Sequence, residues 1–142
     1  GEAATKRTEH PDGFSFTHPV GWVVESVDGK ARAFPPDLSE LVAVEAVFPA
    51  PGQGARATLE ELARRGQVGP LRNPQVLKLR GDQTMAEALL TVKDKKAHAL
   101  LALRGGAGTL YVAGAQEAKF AARLPELVNV LKSFTLRPPK AT

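Results

Sequence analysis

Trp22-Val23-Val24-Glu25-Ser26-Val27-Asp28-Gly29-Lys30-Ala31-Arg32-Ala33-Phe34 is two β-forming runs divided by Asp-Gly. That dipeptide is a strong hairpin signal, because both central residues of a type I′ turn need positive φ. A two-residue loop sets Val27 opposite Lys30, Glu25 opposite Arg32 and Val23 opposite Phe34. Opposite charges then meet across the strands, which is worth a few tenths of a kcal/mol up to about 1. A register shifted by one residue loses that match, so the charges support the turn.

The flanking sequence reads mostly as further strands. Upstream, Phe14-Ser15-Phe16-Thr17 alternates and stops at His18-Pro19. Downstream, Leu41 to Phe48 has Val42, Val44, Ala46 and Phe48 on one face and Leu41, Ala43 and Val47 on the other. A strand apolar on both faces belongs under cover on both sides. After a loop from Pro49 to Gly54, Thr58-Leu59-Glu60-Glu61 has the form of a capping box opening a helix, with Leu59, Leu62 and Ala63 as its buried stripe. Gly66 after Arg64-Arg65 suits the helix stop. Gly69 to Pro74 reads as loop, Val76 to Arg80 as a short strand and Gly81-Asp82 as a turn. Met85 to Lys93 and Ala97 to Arg104 read as long strands joined by Asp94-Lys95-Lys96. Gly105 to Gly108 is a loop into the strand Thr109 to Ala113. Phe120, Leu124, Leu127, Val128 and Leu131 then follow helical spacing. Pro125 would clash with the carbonyl of residue 121, which predicts a kink or a helix beginning near Leu124. Phe134 to Leu136 leaves this helix as an extended end.

The chain has 142 residues, 43% hydrophobic and 24% charged. That is one domain with enough chain to bury an ordinary core. Residues 1–10 read as a flexible tail, 11–137 as the domain, and 138–142 as a tail or linker, since Pro138-Pro139 continues neither a helix nor a central strand. Cysteine is absent, which excludes disulfide scaffolds, thiolate zinc sites, iron–sulfur clusters and cysteine nucleophiles. No apolar run of about 18 residues marks a spanning helix, and the start lacks the apolar stretch of a signal peptide. The net charge is +4. Each tight basic group (Lys6-Arg7, Arg64-Arg65, Lys95-Lys96) has an acid nearby, so the surface is mixed and not a nucleic-acid stripe. With six Phe, one Trp and one Tyr, a base-stacking platform is poorly supplied.

No reaction is written in these residues. His10, His18 and His98 lack any spacing that would join them as metal ligands. Arg104-Gly105-Gly106-Ala107-Gly108-Thr109 lacks the Lys and the following helix of a phosphate loop, and reads as a hairpin loop. Arg80-Gly81-Asp82 spells an adhesion tripeptide, but a turn explains it. Gly66-Gln67-Val68-Gly69 mimics a KH loop without the helix that loop needs. The four serines (Ser15, Ser26, Ser39, Ser133) sit in no nucleophile motif. Glu60-Glu61 belongs to an exposed helix face. Glu45 and Glu87 interrupt apolar strands; the plain reading is a solvent-facing position in each, the sharper one a shared polar patch on an open sheet face. Catalytic, cofactor and metal sites are therefore expected to be none, and the binding residues stay unassigned.

Asp12-Gly13-Phe14-Ser15-Phe16-Thr17-His18-Pro19-Val20-Gly21-Trp22 resembles the entry hairpin of the PsbP-like superfamily, whose members commonly show apolar–polar alternation and then Pro-x-Gly-Trp. They commonly end on an apolar helix running into Ser-Phe, and this chain has Leu127-Val128-Asn129-Val130-Leu131-Lys132-Ser133-Phe134. The resemblance runs from about Pro11 to Leu136. It implies an α+β fold, an antiparallel β-sheet flanked by helices. It also implies a non-enzymatic protein-binding module, monomeric, of the bacterial cell envelope, tethered through a lipid or a larger protein outside this chain. PsbP is linked to divalent ions, but no ligand motif here carries that over. Two alternatives stand beside it: an intracellular (cytoplasmic) adaptor or chaperone for a secreted client, and a small-ligand or hydrolytic protein with a pocket between the sheet and the C-terminal helix.

Overall fold

The computed structural model describes residues 4–137. The tail reading for residues 1–3 and the linker reading for 138–142 lie outside the described residues. In chain order the strands are β1 Thr5–Glu9, β2 Phe14–Pro19, β3 Val23–Val27, β4 Lys30–Phe34 and β5 Glu40–Val47; then come helix α1 Ala55–Arg64, a short hairpin of β6 Gln67–Val68 and β7 Leu71–Arg72, and β8 Gln75–Gly81, β9 Met85–Val92, β10 Lys95–Arg104 and β11 Ala107–Gln116. A 3₁₀ turn at Glu117–Lys119 leads into helix α2 Phe120–Lys132, and β12 Thr135–Leu136 ends the described chain.

Seven strands form one antiparallel sheet in the order β3-β4-β5-β11-β10-β9-β8. Its first hairpin has the register read from the charges: Val23 pairs with Phe34, Glu25 with Arg32 and Val27 with Lys30. Asp28 (φ 50°) and Gly29 (φ 78°) both hold the positive φ that the turn demands. β9, β10 and β11 make a meander whose turns are tighter than expected. Lys93-Asp94 and Gly105-Gly106 each suffice, so Val92 faces Lys95 and Arg104 faces Ala107. Lys95 and Lys96 therefore belong to β10, and β11 runs ten residues instead of five.

Two layers cover this sheet. α1 packs on β8, β9 and β10 from one side. Leu59 and Ala63 meet Ala86, Ala88, Leu90, Ala99 and Leu101 there, joined by Val68 of the β6–β7 hairpin. From the other side α2 packs on β11 and β5. Its Phe120, Leu127 and Val130 meet Val42, Val44, Ala113 and Ala115, together with Phe14 and Phe16 of β2. Trp22 and Phe134 are partly buried against this second cluster, with Phe134 5.2 Å from the Phe16 ring centroid. β5 is covered on both sides, as its sequence requires: Val42 faces one cluster and Ala43 the other. Phe48 departs from that pattern, because the strand stops at Val47 and leaves the ring 80% exposed. Arg123 of α2 forks onto Glu40 of β5 at 2.8 and 2.9 Å and also pairs with Glu126; these carboxylates hold the guanidinium firmly protonated.

Four further expectations need correction. Thr5–Glu9 is not tail but strand. It pairs with β2, which pairs in turn with β12, in a second three-stranded sheet. The polar run TKRTE gave no apolar alternation; it is held by backbone pairing and by Thr8, whose Oγ1 lies 2.6 Å from Nε2 of the buried His18. Second, the capping box does not form. α1 begins one turn earlier, behind Gly54, and its first amides, from Ala55 and Arg56, donate to Gln83 and Asp82 carbonyls of the β8–β9 turn at 2.9 and 3.0 Å. Carbonyls from another element thus satisfy amides that end helices leave open. Thr58, now inside the helix, donates back to the Gly54 carbonyl at 2.8 Å. Gly66 (φ 69°) does stop the helix. Third, no new helix begins near Leu124: α2 is one helix through Pro125. Pro125 leaves the Ala121 carbonyl without its usual donor, but buried Phe120 on one side and Leu127 and Val130 on the other hold both halves to the sheet. Fourth, Gly69 to Pro74 is not plain loop; it holds the turn and second strand of the β6–β7 hairpin.

Candidate docking face

Strand alternation sorts the side chains of β8, β9 and β10. Ala86, Ala88, Ala97, Ala99 and Leu101 point toward α1. Glu87, Leu89, His98 and Leu100 therefore point the other way, where α2 covers only β11 and β5. On this face Leu89 packs against the edge of the α2-side cluster, while Glu87, His98 and Leu100 are partly buried outside it. Leu100 pairs with Glu87 on one side and Tyr111 on the other, and His98 pairs with Leu89.

A polar cluster sits in this face. The Glu87 carboxylate accepts from Arg80 Nη2 at 2.6 Å and from His98 Nε2 at 2.9 Å, which puts the His98 proton on Nε2. The His98 hydrogen bond first, and Arg80 with it, hold the Glu87 carboxyl below its ordinary range. Around the cluster lie apolar surfaces from Leu89, Leu100, Tyr111 and Met85, the last 52% exposed. Sequence reasoning names Glu87, His98 and, within a turn tripeptide, Arg80, but it neither joins the three nor finds this apolar border.

Glu45 lies elsewhere. Its cross-strand neighbours are Lys30 and Leu110, and Leu110 belongs to the α1 side. The carboxylate accepts the Gly69 amide at 3.0 Å, and burial raises its pKa against the attraction of Lys30. Glu45 and Glu87 occupy opposite faces and do not form one patch.

The remaining candidates resolve into structure. His18 Nδ1 donates to the Pro19 carbonyl at 2.8 Å, and His10 stacks on Phe14 at 4.7 Å. Among the described residues no three His, Asp or Glu converge as metal ligands. Gly81 closes against Met85 and Ala86, where a Cβ would come within 2.3 Å of the Met85 carbonyl, and Asp82 caps the turn through the Thr84 amide at 2.9 Å. Ser15 bonds Thr135 and Arg7, with no histidine or carboxylate as base. A cleft of about 350 Å³ lies between the main sheet and the segment after α2, walled by Phe14, Val44, Phe134 and Leu136 and not by the helix itself. No described helix is long and apolar enough to cross a membrane.

No family model and no curated protein sequence matches the chain. Among solved structures it is similar to the solution structure of cyanobacterial PsbP (CyanoP) from Synechocystis, with a TM-score of 0.54 and 15% identity over 96% of this chain and 94% of that one. A crystal structure from Bacteroides thetaiotaomicron matches with a TM-score of 0.49 and 16% identity over 94% of this chain and 49% of that one. The chain has the PsbP-like fold.

Proposed function

We propose that this PsbP-like domain is a non-enzymatic protein-binding module of the bacterial cell envelope, and that the open face of β8–β10 is where its partner docks. The observation that carries the reading is that α2 leaves the β8–β10 part of one sheet face only partly covered, with apolar side chains around a satisfied polar centre. Interfaces of this kind join an apolar patch to a few oriented polar groups. Arg80, Glu87 and His98 already bond one another, so they set orientation, and Leu100 and Tyr111 supply the buried area. No catalytic constellation competes for the same residues.

A photo-crosslinking residue at position 100, with a second at Glu60 on α1 as control, tests the face in the native host. A discrete protein adduct from position 100 and none from position 60 is expected, and Leu100→Glu, made with a crosslinker at Tyr111, removes it. Equal adducts from both positions, or none from position 100, would overturn the docking face. Fractionation of the same cells tests the compartment: recovery with the envelope is expected, and recovery with the cytosol favours the adaptor reading.

A further inference from the structure

On the α1 side of the sheet, at the end away from the helix, one row across three strands reads Leu41–Gly114–Ala97. The next row inward reads Ala43–Val112–Ala99. The outer row carries no side chain at its centre, and the sheet there forms the floor of a cavity of about 220 Å³. Pro70 and Leu71 of the β6–β7 hairpin and Leu38 of the β4–β5 loop wall it. Glycine inside a strand weakens it and commonly marks a place where something approaches the backbone closely. Here nothing in the fold requires the missing side chain: a Cβ on Gly114 would meet Ala97 Cβ at 3.4 Å, an ordinary contact, and its φ is not in the left-handed region.

Arg32, Lys95 and Lys96 line this cavity. Arg32 is neutralised by its pair with Glu25 and Lys96 lies over the Phe120 ring, whereas among the described residues Lys95 makes no ion pair, so the charge left free is positive. Glu40 also lines the cavity, but both its oxygens are taken by Arg123 of α2. The lining is otherwise predominantly apolar. An apolar slot with a few placed polar groups is the common form of a small-molecule site.

We infer that the cavity over Gly114 binds a small carboxylate with a flat apolar body, of about the size of one aromatic ring. The body lies on the floor of Leu41, Gly114 and Ala97, and the carboxylate faces Lys95. The volume corresponds to about seven water-sized groups at roughly 30 Å³ each, which excludes long acyl chains. This site is on the opposite side of the sheet from the proposed docking face and does not depend on it.

The test is an amide-resolved NMR titration of the full chain with benzoate, with benzyl alcohol and benzylamine as neutral and cationic controls. Benzoate is expected to give saturable shifts centred on the amides of Ala97 and Gly114, with the alcohol at least tenfold weaker and the amine silent. Gly114→Val fills the floor and abolishes binding. Lys95→Gln, at an exposed position that cannot disturb the core, weakens it about tenfold with the thermal midpoint unchanged. Benzyl alcohol binding as tightly as benzoate, shifts centred elsewhere, no saturation at tens of millimolar benzoate, or an unchanged affinity in Lys95→Gln would each overturn the inference.

Discussion

Leu100 and Leu101 are neighbours on one strand and point to opposite sides of the sheet, so truncating each in turn measures whether the proposed docking face is bare. Leu101 is fully buried beneath α1, in the cluster with Leu59, Ala88, Leu90 and Leu110. Leu101→Ala removes buried methyl groups and leaves a cavity that close-packed neighbours fill only partly, which costs about 2–5 kcal/mol. Leu100 is partly buried and belongs to neither core cluster. Fully burying a leucine is worth about 1.5–3 kcal/mol, so a partly buried one has less than that to lose, with no cavity term because the face is open. Equilibrium urea unfolding, followed by tryptophan fluorescence from the lone Trp22, gives both numbers. An unchanged m-value shows that the same surface is exposed in each variant. A Leu100→Ala loss as large as that of Leu101→Ala would mean that this chain covers the face itself, and the docking argument would fall.

Glu45→Gln is expected to match the wild type in stability near pH 3 and to exceed it at pH 7. The folded carboxyl is raised by burial, so the wild-type advantage of the protonated form is complete below the ordinary carboxyl range and is lost as pH rises through the raised value. The glutamine still accepts the Gly69 amide, and a variant less stable at pH 7 would show that Lys30 outweighs burial. Thr8→Val is expected to cost about 1–3 kcal/mol in the same urea assay, because it leaves the buried Nε2 of His18 without its hydroxyl partner. A neutral result would return Thr5–Glu9 to the status of a tail.

What the sequence made legible was whatever rests on local rules. The Asp28-Gly29 hairpin and its register follow from turn chemistry and cross-strand charge, and Gly66 ends α1 because of its own backbone. The β1 strand was hidden because a polar segment pairs through its backbone, which leaves no apolar periodicity to detect. The capping box failed for a nonlocal reason: Gln83 and Asp82, nearly thirty residues downstream, offer carbonyls to the helix start. The candidate face was half-legible for a related cause. Glu87 stands out as a polar interruption of an apolar strand, and His98 only as a lone histidine. Arg80 does not stand out, because β8 carries a bulge between Val76 and Lys78. The bulge shifts the later pairing by one residue and so changes which face each side chain takes. Counted by twos from Gln75 opposite Thr91, Leu79 would have faced Glu87; with the bulge, Arg80 does.

The docking face and the carboxylate cavity then share one physical origin. Each helix is too short to cover seven strands. α1 has ten residues and α2 thirteen, so at about 1.5 Å per residue they span roughly 15 and 20 Å. Seven strands at about 4.8 Å spacing spread over roughly 29 Å between the outer two. α1 settles over β8–β10 on one side and α2 over β11 and β5 on the other, because the alanine-rich positions of β9 and β10 point to α1 and those of β4 and β11 to α2. The two uncovered areas consequently lie on opposite faces and share only β10. On the α2 side the open area lies over β8–β10, where Leu100 is only partly buried and Met85 is exposed. On the α1 side it lies over the ends of β5, β11 and β10 beyond the helix, where the β6–β7 hairpin roofs only part. Swapping small for large side chains at Ala97 or Gly114 changes the second area without touching the first, since alternation sends those positions to one face only. Two independent surfaces in so small a domain are therefore what one seven-stranded sheet with two short helices leaves available.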